Sequence, residues 1–190
     1  GLIAGLRTGV TREDFEKALS AGILEGLCHR FPSRAGDSLL VESGRIHAID
    51  GGNLILEIQQ NSDTTYRVFD WGRLGLDGQP RKLHVKESMQ CIDFDDFEPE
   101  PIRADPAAAE QVIAECEHFR IRKFDWREDR TVDLSPAGVD AGLIHLLRGG
   151  LVCGQTVLKA GDSGLCPYAE DCTIEASAET AFLFTDCFTG

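Results

Sequence analysis

Methionine, basic side chains and long apolar runs are all scarce in this sequence, and each shortage excludes something. The single methionine is Met89, and the opening GLIAGLRTGV indicates that the natural protein begins further upstream. Lysine and arginine total 19 against 32 aspartates and glutamates, a formal net charge of -13. A field of that sign repels nucleic acid and anionic membranes, so an anionic ligand would need a local group of basic residues. We therefore expect neither nucleic acid nor membrane as a partner.

The remaining composition is that of a globular protein, with 42% hydrophobic and 27% charged residues. No apolar run approaches the roughly 20 residues of a transmembrane helix, and no charged-then-apolar stretch is typical of a signal peptide. The seven cysteines are an odd number and form no C-x-x-C pair. This pattern favours reduced thiols and a cytoplasmic location over a disulfide framework.

Helical signals gather near the start of the chain, and strand signals follow. The stretch TREDFEKAL combines a capping box with apolar residues at helical spacing, and the sequence predicts two short helices, residues 12–20 and 22–30. From residue 34 onward, short β-forming runs alternate with Gly and Asp turns. The predicted strands are residues 38–41, 45–49, 54–59, 64–71, 119–125, 131–134, 143–148, 151–153, 156–159, 172–176 and 181–186. So many short strands are typical of a β-sandwich or a barrel.

Two stretches of the chain echo each other. AGDSLLVESGRIHAI from Ala35 and AGDSGLCPYAEDCTI from Ala160 share a Gly-Asp turn followed by strand, turn and strand, 125 residues apart. This spacing is too long for a solenoid and indicates two copies of one domain type. The alignment places Cys172 where the first copy has His47.

An acidic, proline-containing stretch, DFDDFEPEPIRADP at residues 93–106, separates the two copies and indicates a linker. The predicted organisation is a helical segment at 1–34, a first domain at 35–98, a linker at 99–110 and a second, small domain at 111–190.

The most unusual stretch is HAIDGGNLILEIQQNSDTTYRVFDWGR, residues 47–73. A lone histidine such as His47 is more often a structural residue than a metal ligand, because a metal site needs several converging ligands. Glu57 alone would ordinarily lie on a solvated strand face. Arg67 is harder to dismiss, because an arginine among β-forming residues needs an anion for its guanidinium fork. Asp63 is either the structural partner of Arg67 or shares a ligand with it.

The same residues, in the same order, resemble the type I phosphomannose isomerases (mannose-6-phosphate isomerases), zinc enzymes built from cupin barrels. The resemblance rests on GDSLLVESGRIHAI, NLILEIQQNSDTTYRVFDWGR and RKLHVKESMQCIDF, and more loosely on CEHFRIRKFDW. It implies a mainly β chain, in which a cupin (double-stranded β-helix, or jelly roll) follows a short two-helix segment and precedes a second, small cupin-like barrel. The implied reaction interconverts mannose 6-phosphate and fructose 6-phosphate.

The resemblance also implies roles for single residues. His47 matches the last zinc ligand of the family, Asp63 an aspartate proposed for acid–base catalysis, and Arg67 the arginine at the sugar-phosphate site. Glu57 and Arg73 match a second carboxylate and a basic residue near that site. The family's other zinc ligands come from an N-terminal stretch that this chain does not contain. The implied partners are therefore a sugar phosphate and a missing N-terminal segment, or a second chain, that completes the barrel.

Other functions stay open from the sequence. The chain could be a non-catalytic cupin that binds a sugar phosphate or a protein partner. A cysteine-based metal or redox site around Cys166 and Cys172 is less well supported, because buried cysteines are more often structural. The repeat alignment also predicts that residues 139–190 close a small barrel that holds no metal.

Overall fold

The structure is a computed structural model that describes residues 1–62, 64–135, 141–168 and 171–188. The chain divides into a first unit, Gly1–Ala35 with Val41–Glu100, and a second unit, Gly36–Leu40 with Pro101–Gly190. None of the helices in the described residues is long and apolar enough to cross a membrane. In chain order the elements are β1 (Leu2–Leu6), α1 (Arg12–Ala21), a 3₁₀ helix (Leu24–Leu27), β2 (Cys28–Phe31), β3 (His47–Ile49), α2 (Val85–Cys91), β4 (Glu110–Glu115), β5 (Arg120–Trp126), β6 (Arg130–Asp133), β7 (Gly142–Arg148), β8 (Gly150–Cys153), β9 (Thr156–Lys159), β10 (Ser163–Cys166), β11 (Thr173–Ala176) and β12 (Thr180–Asp186).

A three-stranded antiparallel sheet in the order β2-β1-β3 organises the first unit. Helix α1 begins after Thr11, whose hydroxyl accepts the N–H of Asp14 while the Asp14 carboxylate accepts the N–H of Thr11. These reciprocal bonds satisfy two donors that the first helical turn leaves unpaired. Gly22 ends the helix at φ 71°, a left-handed conformation that costs glycine little. The buried core of this unit is Ile3, Leu6, Phe15, Ala18, Leu24 and Cys28.

Two antiparallel sheets form the second unit, in the orders β10-β7-β12-β5-β4 and β6-β11-β8-β9. Phe182 on β12 is fully buried and stacks on Phe124 of β5, with ring centroids 4.7 Å apart. The ring of Trp126 lies nearly perpendicular to that of Phe182, with centroids 5.3 Å apart. Apolar side chains of both sheets meet around these rings, namely Leu134, Ile144, Leu146, Leu151, Ile174, Ala176 and Phe184. The unit is therefore two sheets closed over one apolar interior, as the predicted cupin class requires.

The predicted strands of the second half are confirmed as β5 to β9, β11 and β12. Strand β4 was not predicted, because its first residue falls at the end of the proposed linker. Gly36 and Gly161, the turn glycines of the two echoed stretches, both have left-handed backbones, at φ 89° and 94°. Residues 36–40 join the second unit, whereas the sequence placed them in the first domain; the proposed domain boundaries stay a prediction.

The first half departs further from the prediction. Residues 22–30 hold the short 3₁₀ helix and then β2, not a second α-helix, because Gly22 and Gly26 weaken helix formation and β2 pairs with β1. Strand β1 and helix α2 were not predicted. Residues 38–41 contribute an isolated bridge, from Ser38 to Ile102, where a strand was expected.

The two strands predicted at residues 54–59 and 64–71 are not formed in the part of the chain that the structure describes. Leu54, Ile55 and Leu56 are 101%, 50% and 48% exposed. β-Forming side chains produce a strand where a neighbouring strand takes up the backbone hydrogen bonds, and none of the described strands does so here.

Cys166 and Cys172 are joined by a disulfide, which corrects the expectation of unpaired thiols. Cys166 ends β10 and Cys172 precedes β11, and their Cα atoms are 6.0 Å apart, a usual separation for a disulfide. Both residues are buried in the apolar interior of the second unit. Cys172, which aligns with His47, is therefore a core residue bonded within its own unit.

Truncating the central ring of this interior tests the packing. We expect Phe182→Ala to lower the free energy of unfolding by about 3–5 kcal/mol, because it removes a fully buried aromatic ring and leaves a cavity. Val157→Ala, on β9 and 61% exposed, is the control and should change it by about 0.5 kcal/mol or less. Urea unfolding followed by circular dichroism measures both. Equal effects of the two substitutions would contradict the described core.

Candidate functional site

His47 opens β3 opposite Ala4 of β1. Its side chain is exposed, and its Nδ1 lies 3.1 Å from the carbonyl oxygen of Arg45. Across residues 1–62, 64–135, 141–168 and 171–188, no three His, Cys, Asp or Glu side chains gather as a metal ion would require. The described residues therefore do not fit a zinc ion by themselves, and His47 stays a predicted ligand.

The structure describes one of the two predicted catalytic carboxylates, Glu57. Glu57 is exposed within the irregular segment 54–59. Asp63 lies outside the described residues. The acid–base roles of Glu57 and Asp63 stay predictions.

Arg67 and Arg73, by contrast, flank one buried carboxylate. Asp70 lies midway between them and is 6% exposed. The Nε of Arg73 donates to Asp70 Oδ1 at 3.1 Å, and the Nε of Arg67 lies 3.9 Å from Oδ2. A third arginine, Arg81, donates its Nε to Oδ2 at 2.5 Å and a second guanidinium N–H to Oδ1. We call Arg67, Arg73 and Arg81, together with Asp70, the arginine cluster.

A tight turn brings Arg73 back onto Asp70. Trp71 and Gly72 are both left-handed, at φ 49° and 68°, and the N–H of Arg73 donates to the carbonyl of Asp70 at 2.9 Å. A tryptophan with positive φ is uncommon and must be held by its surroundings. Its indole Nε1 donates to a carboxylate oxygen of Glu25 at 3.0 Å. The backbone is thus constrained at the point where the carboxylate meets two of its arginines.

The chain reverses direction after Arg73, where an isolated antiparallel bridge joins Leu74 and Pro80. Hydrogen bonds to the returning segment then hold Arg67. The N–H of Arg67 donates to Nδ1 of His84 at 3.3 Å, and the N–H of His84 donates to the carbonyl of Arg67 at 2.7 Å. The guanidinium of Arg67 also donates to the carbonyl of Lys82 at 3.4 Å. Backbone and side chain of Arg67 are both held, so its guanidinium has a defined place beside Asp70.

The cluster is a local excess of positive charge in an acidic chain. Three arginines against one aspartate leave two positive charges uncompensated, while the whole chain carries -13. Hydrogen bonds and charge from Arg81, and then Arg73, hold the pKa of Asp70 below its ordinary value. Asp70 is therefore ionised at neutral pH. An anion could approach the guanidinium N–H groups that Asp70 does not use.

Sequence reasoning found Arg67 and Arg73 but missed the residues that join them. Asp70 is three residues from each, a spacing visible in RVFDWGR. Arg81 lies eleven residues beyond Asp70 and meets it through the chain reversal. Its position was therefore not readable from spacing. That Arg67 and Arg73 bind a phosphate stays a prediction.

Known proteins resemble this chain over much of its length. The mannose-6-phosphate isomerase ManA of Bacillus subtilis (strain 168) is 32% identical over 164 residues, which cover 83% of this chain and 51% of ManA. The mannose-6-phosphate isomerase of Streptococcus mutans serotype c (strain ATCC 700610 / UA159) is 39% identical over 97 residues, 51% of this chain and 29% of that protein. The chain belongs to the mannose-6-phosphate isomerase family. It spans about half the length of ManA and less of the second relative.

The fold agrees with this family. The crystal structure of the mannose 6-phosphate isomerase from Bacillus subtilis superposes with a TM-score of 0.82 at 24% identity, over 98% of this chain and 60% of that one. At this identity the match shows a shared fold. No family model matches the chain. The predicted fold class, a mainly β cupin chain, is thereby confirmed.

The lowered pKa of Asp70 predicts how its contribution to stability depends on pH. A carboxylate whose pKa falls on folding stabilises the protein above its unfolded pKa, near 3.8, and loses that contribution as the pH falls through the folded value. The unfolding free energy lost in Asp70→Asn should thus be largest at neutral pH and should shrink as the pH drops below 3.8. Urea unfolding of both proteins from about pH 2.5 to about pH 7, which covers the range in which carboxylates titrate, measures this difference in unfolding free energy. A difference independent of pH would show that the ion pairs do not stabilise the fold.

The chain is expected to hold zinc weakly, because one predicted ligand is a weak site. Elemental analysis after dialysis should find far less than one zinc per chain. His47→Ala should then leave the small residual content unchanged. Near-stoichiometric zinc that depends on His47 would mean that ligands outside the described residues, or on a second chain, complete the site.

Proposed function

We propose that this chain is part of an isomerase that interconverts mannose 6-phosphate and fructose 6-phosphate. Its curated relatives carry the name of that activity, and each is longer than the matched region. The observation that carries the proposal is the arginine cluster. Two arginines singled out for phosphate, Arg67 and Arg73, share one carboxylate and leave an excess of positive charge.

The chemistry asks for the residue types present. Interconverting an aldose and a ketose moves a proton between two adjacent carbons, and negative charge develops on oxygen as the carbon-bound proton leaves. A guanidinium near that oxygen, or near the phosphate, stabilises the charge through paired N–H donors. Arg67 is proposed for this role, and Arg73 for the phosphate. Asp63 and Glu57 are proposed as the carboxylates of the proton transfer.

Zinc dependence and a cytoplasmic location also stay proposals. The described residues do not gather a set of metal ligands, so no step of the reaction is assigned to a metal. The exposed run Leu54, Ile55 and Leu56 supports the proposal that an N-terminal segment or a second chain lies against it. Such a partner would supply the strand hydrogen bonds that this segment lacks, and could supply the remaining zinc ligands.

One observation favours the alternative, a non-catalytic cupin that binds a sugar phosphate. His47 is the sole predicted metal ligand in the chain, and the described carboxylate Glu57 lies exposed without a hydrogen bond to the arginine cluster. A chain of this kind would bind mannose 6-phosphate through the arginines without converting it. Turnover of the sugar separates the two functions.

The test is isomerisation of mannose 6-phosphate in deuterium oxide by the chain joined to the N-terminal segment proposed to complete the barrel, with deuterium uptake from the solvent at carbon 1 of fructose 6-phosphate followed by NMR. We expect Arg67→Lys to lower the rate on the order of a hundredfold, the scale of losing one well-placed donor to developing charge. Zinc content should not change, because arginine is not a ligand. Arg127→Lys is the control, since Arg127 in the second unit is exposed and pairs with Glu179.

The outcomes are distinct. Loss of rate in Arg67→Lys, with a normal rate in Arg127→Lys, supports the isomerase. Binding of mannose 6-phosphate without any turnover favours the non-catalytic cupin. An Arg67→Lys variant as fast as the unmodified chain would make Arg67 a structural residue.

A further inference from the structure

Asp70 is the one acidic residue within the arginine cluster, and its position is odd for a protein that must attract an anion. It lies 6% exposed beneath the guanidinium groups of Arg67, Arg73 and Arg81. Taken as a charge alone, it would weaken the binding of a phosphate by cancelling one of three positive charges. A buried carboxylate in that place needs another reason.

The hydrogen-bond geometry supplies the reason. Arg81 places two donors on the two oxygens of Asp70, a planar fork that fixes the guanidinium in one orientation. Arg73 donates a single Nε–H to Oδ1, so its two terminal nitrogens are not used by Asp70. The Nε of Arg67 is 3.9 Å from Oδ2, close enough for charge attraction. One terminal nitrogen of Arg67 donates to the carbonyl of Lys82, and its other terminal nitrogen is not bonded to Asp70. One carboxylate therefore aligns three guanidinium groups that would otherwise repel one another.

Hydrogen bonds also constrain the backbone on either side of Asp70. The indole of Trp71, whose φ is 49°, donates to Glu25. The N–H of Arg67 donates to the imidazole Nδ1 of His84, and the N–H of His84 donates to the carbonyl of Arg67. Residues with strained backbones persist where the surrounding structure determines them, and such residues concentrate at functional sites. Arg73 follows the turn at Trp71 and Gly72, and Arg67 is bonded to the returning chain. The guanidinium groups of both arginines lie beside Asp70.

We propose that Asp70 is a positioning residue, which aligns Arg67, Arg73 and Arg81 into one surface that binds the phosphate group of a phosphorylated sugar. The inference deepens the proposed function and rests on it for the identity of the ligand. Asp70 does not touch the ligand. It acts by holding the guanidinium groups apart and in register, so that they receive the phosphate oxygens together.

Phosphate affinity separates positioning from simple charge, because the two predict opposite signs. Asp70→Asn raises the net charge of the cluster from two to three, since three arginines remain and the aspartate is lost. Charge alone predicts tighter binding of mannose 6-phosphate and of inorganic phosphate. Positioning predicts binding weaker on the order of tenfold, the scale of one hydrogen bond to a charged group. Isothermal titration calorimetry at fixed salt measures both ligands.

Asp77→Asn is the matched control. Asp77 lies in the chain reversal between Asp70 and Arg81 and is exposed. It accepts the N–H of Gln79 at 3.0 Å, and the side-chain oxygen of asparagine can accept the same hydrogen bond. It changes the charge by the same amount without touching the cluster, so its phosphate affinity should stay the same or rise slightly. A decrease of equal size in both variants would overturn the proposal.

A second variant and a second measurement keep the test valid if Asp70→Asn folds poorly. Arg81→Lys preserves every charge but loses the two-point fork on Asp70, and should also weaken phosphate binding. The Nε–H signals of Arg73 and Arg81 in a nitrogen-15 spectrum should be protected from exchange with water in the unmodified chain. They should lose that protection in Asp70→Asn and keep it in Asp77→Asn.

The results of this experiment and of the isomerase assay are independent. Weaker phosphate binding in Asp70→Asn and Arg81→Lys supports the positioning role, whether or not the chain turns over the sugar. Tighter or unchanged binding in Asp70→Asn, or unchanged binding in Arg81→Lys, overturns it. An unmodified chain that binds neither mannose 6-phosphate nor phosphate also overturns it. Normal phosphate binding without isomerisation overturns the proposed function alone.

Discussion

A buried carboxylate must be paired, and that requirement organises the irregular part of the first unit. Asp70 is nearly inaccessible to water, so its charge is compensated by guanidinium groups. Those groups come from residues 67, 73 and 81, which are separated by a turn and a chain reversal. No described residue from 67 to 84 belongs to a strand. The path of the chain through this segment is thus determined by ion pairs and backbone hydrogen bonds.

The apolar interior of the second unit and the arginine cluster of the first unit are each stabilised by a different interaction. The second unit has two sheets around a filled apolar interior, in which Phe124, Trp126 and Phe182 pack ring against ring. Burial of these apolar side chains stabilises the unit. The arginine cluster of the first unit instead depends on charges whose strength falls with added salt and low pH. A binding site is more easily built in the second way, because guanidinium groups held by one carboxylate keep donors free for a ligand.

The two echoed stretches share one sequence pattern, but their aligned side chains differ in burial. Both begin with a left-handed glycine, Gly36 or Gly161. In the second copy the position aligned with His47 is Cys172, which is buried and bonded to Cys166. In the first copy the histidine is exposed at the start of β3. The second copy has thus become a packed core element, while the first keeps an accessible side chain able to take part in chemistry.

The sequence by itself determined the mainly β fold class, the cap of α1 and nearly all strands of the second unit, because alternation and turn residues are local signals. It also identified Arg67 and Arg73 as a pair, from composition and family motif. The tertiary structure decided the rest. Residues 54–59 look like a strand but have no described neighbour to pair with, and strand formation depends on that neighbour. Cys166 and Cys172 looked unpaired but are joined by a disulfide. Arg81 contacts Asp70 because the chain reverses direction between them. Such a contact depends on distance in space, which separation in sequence does not reveal.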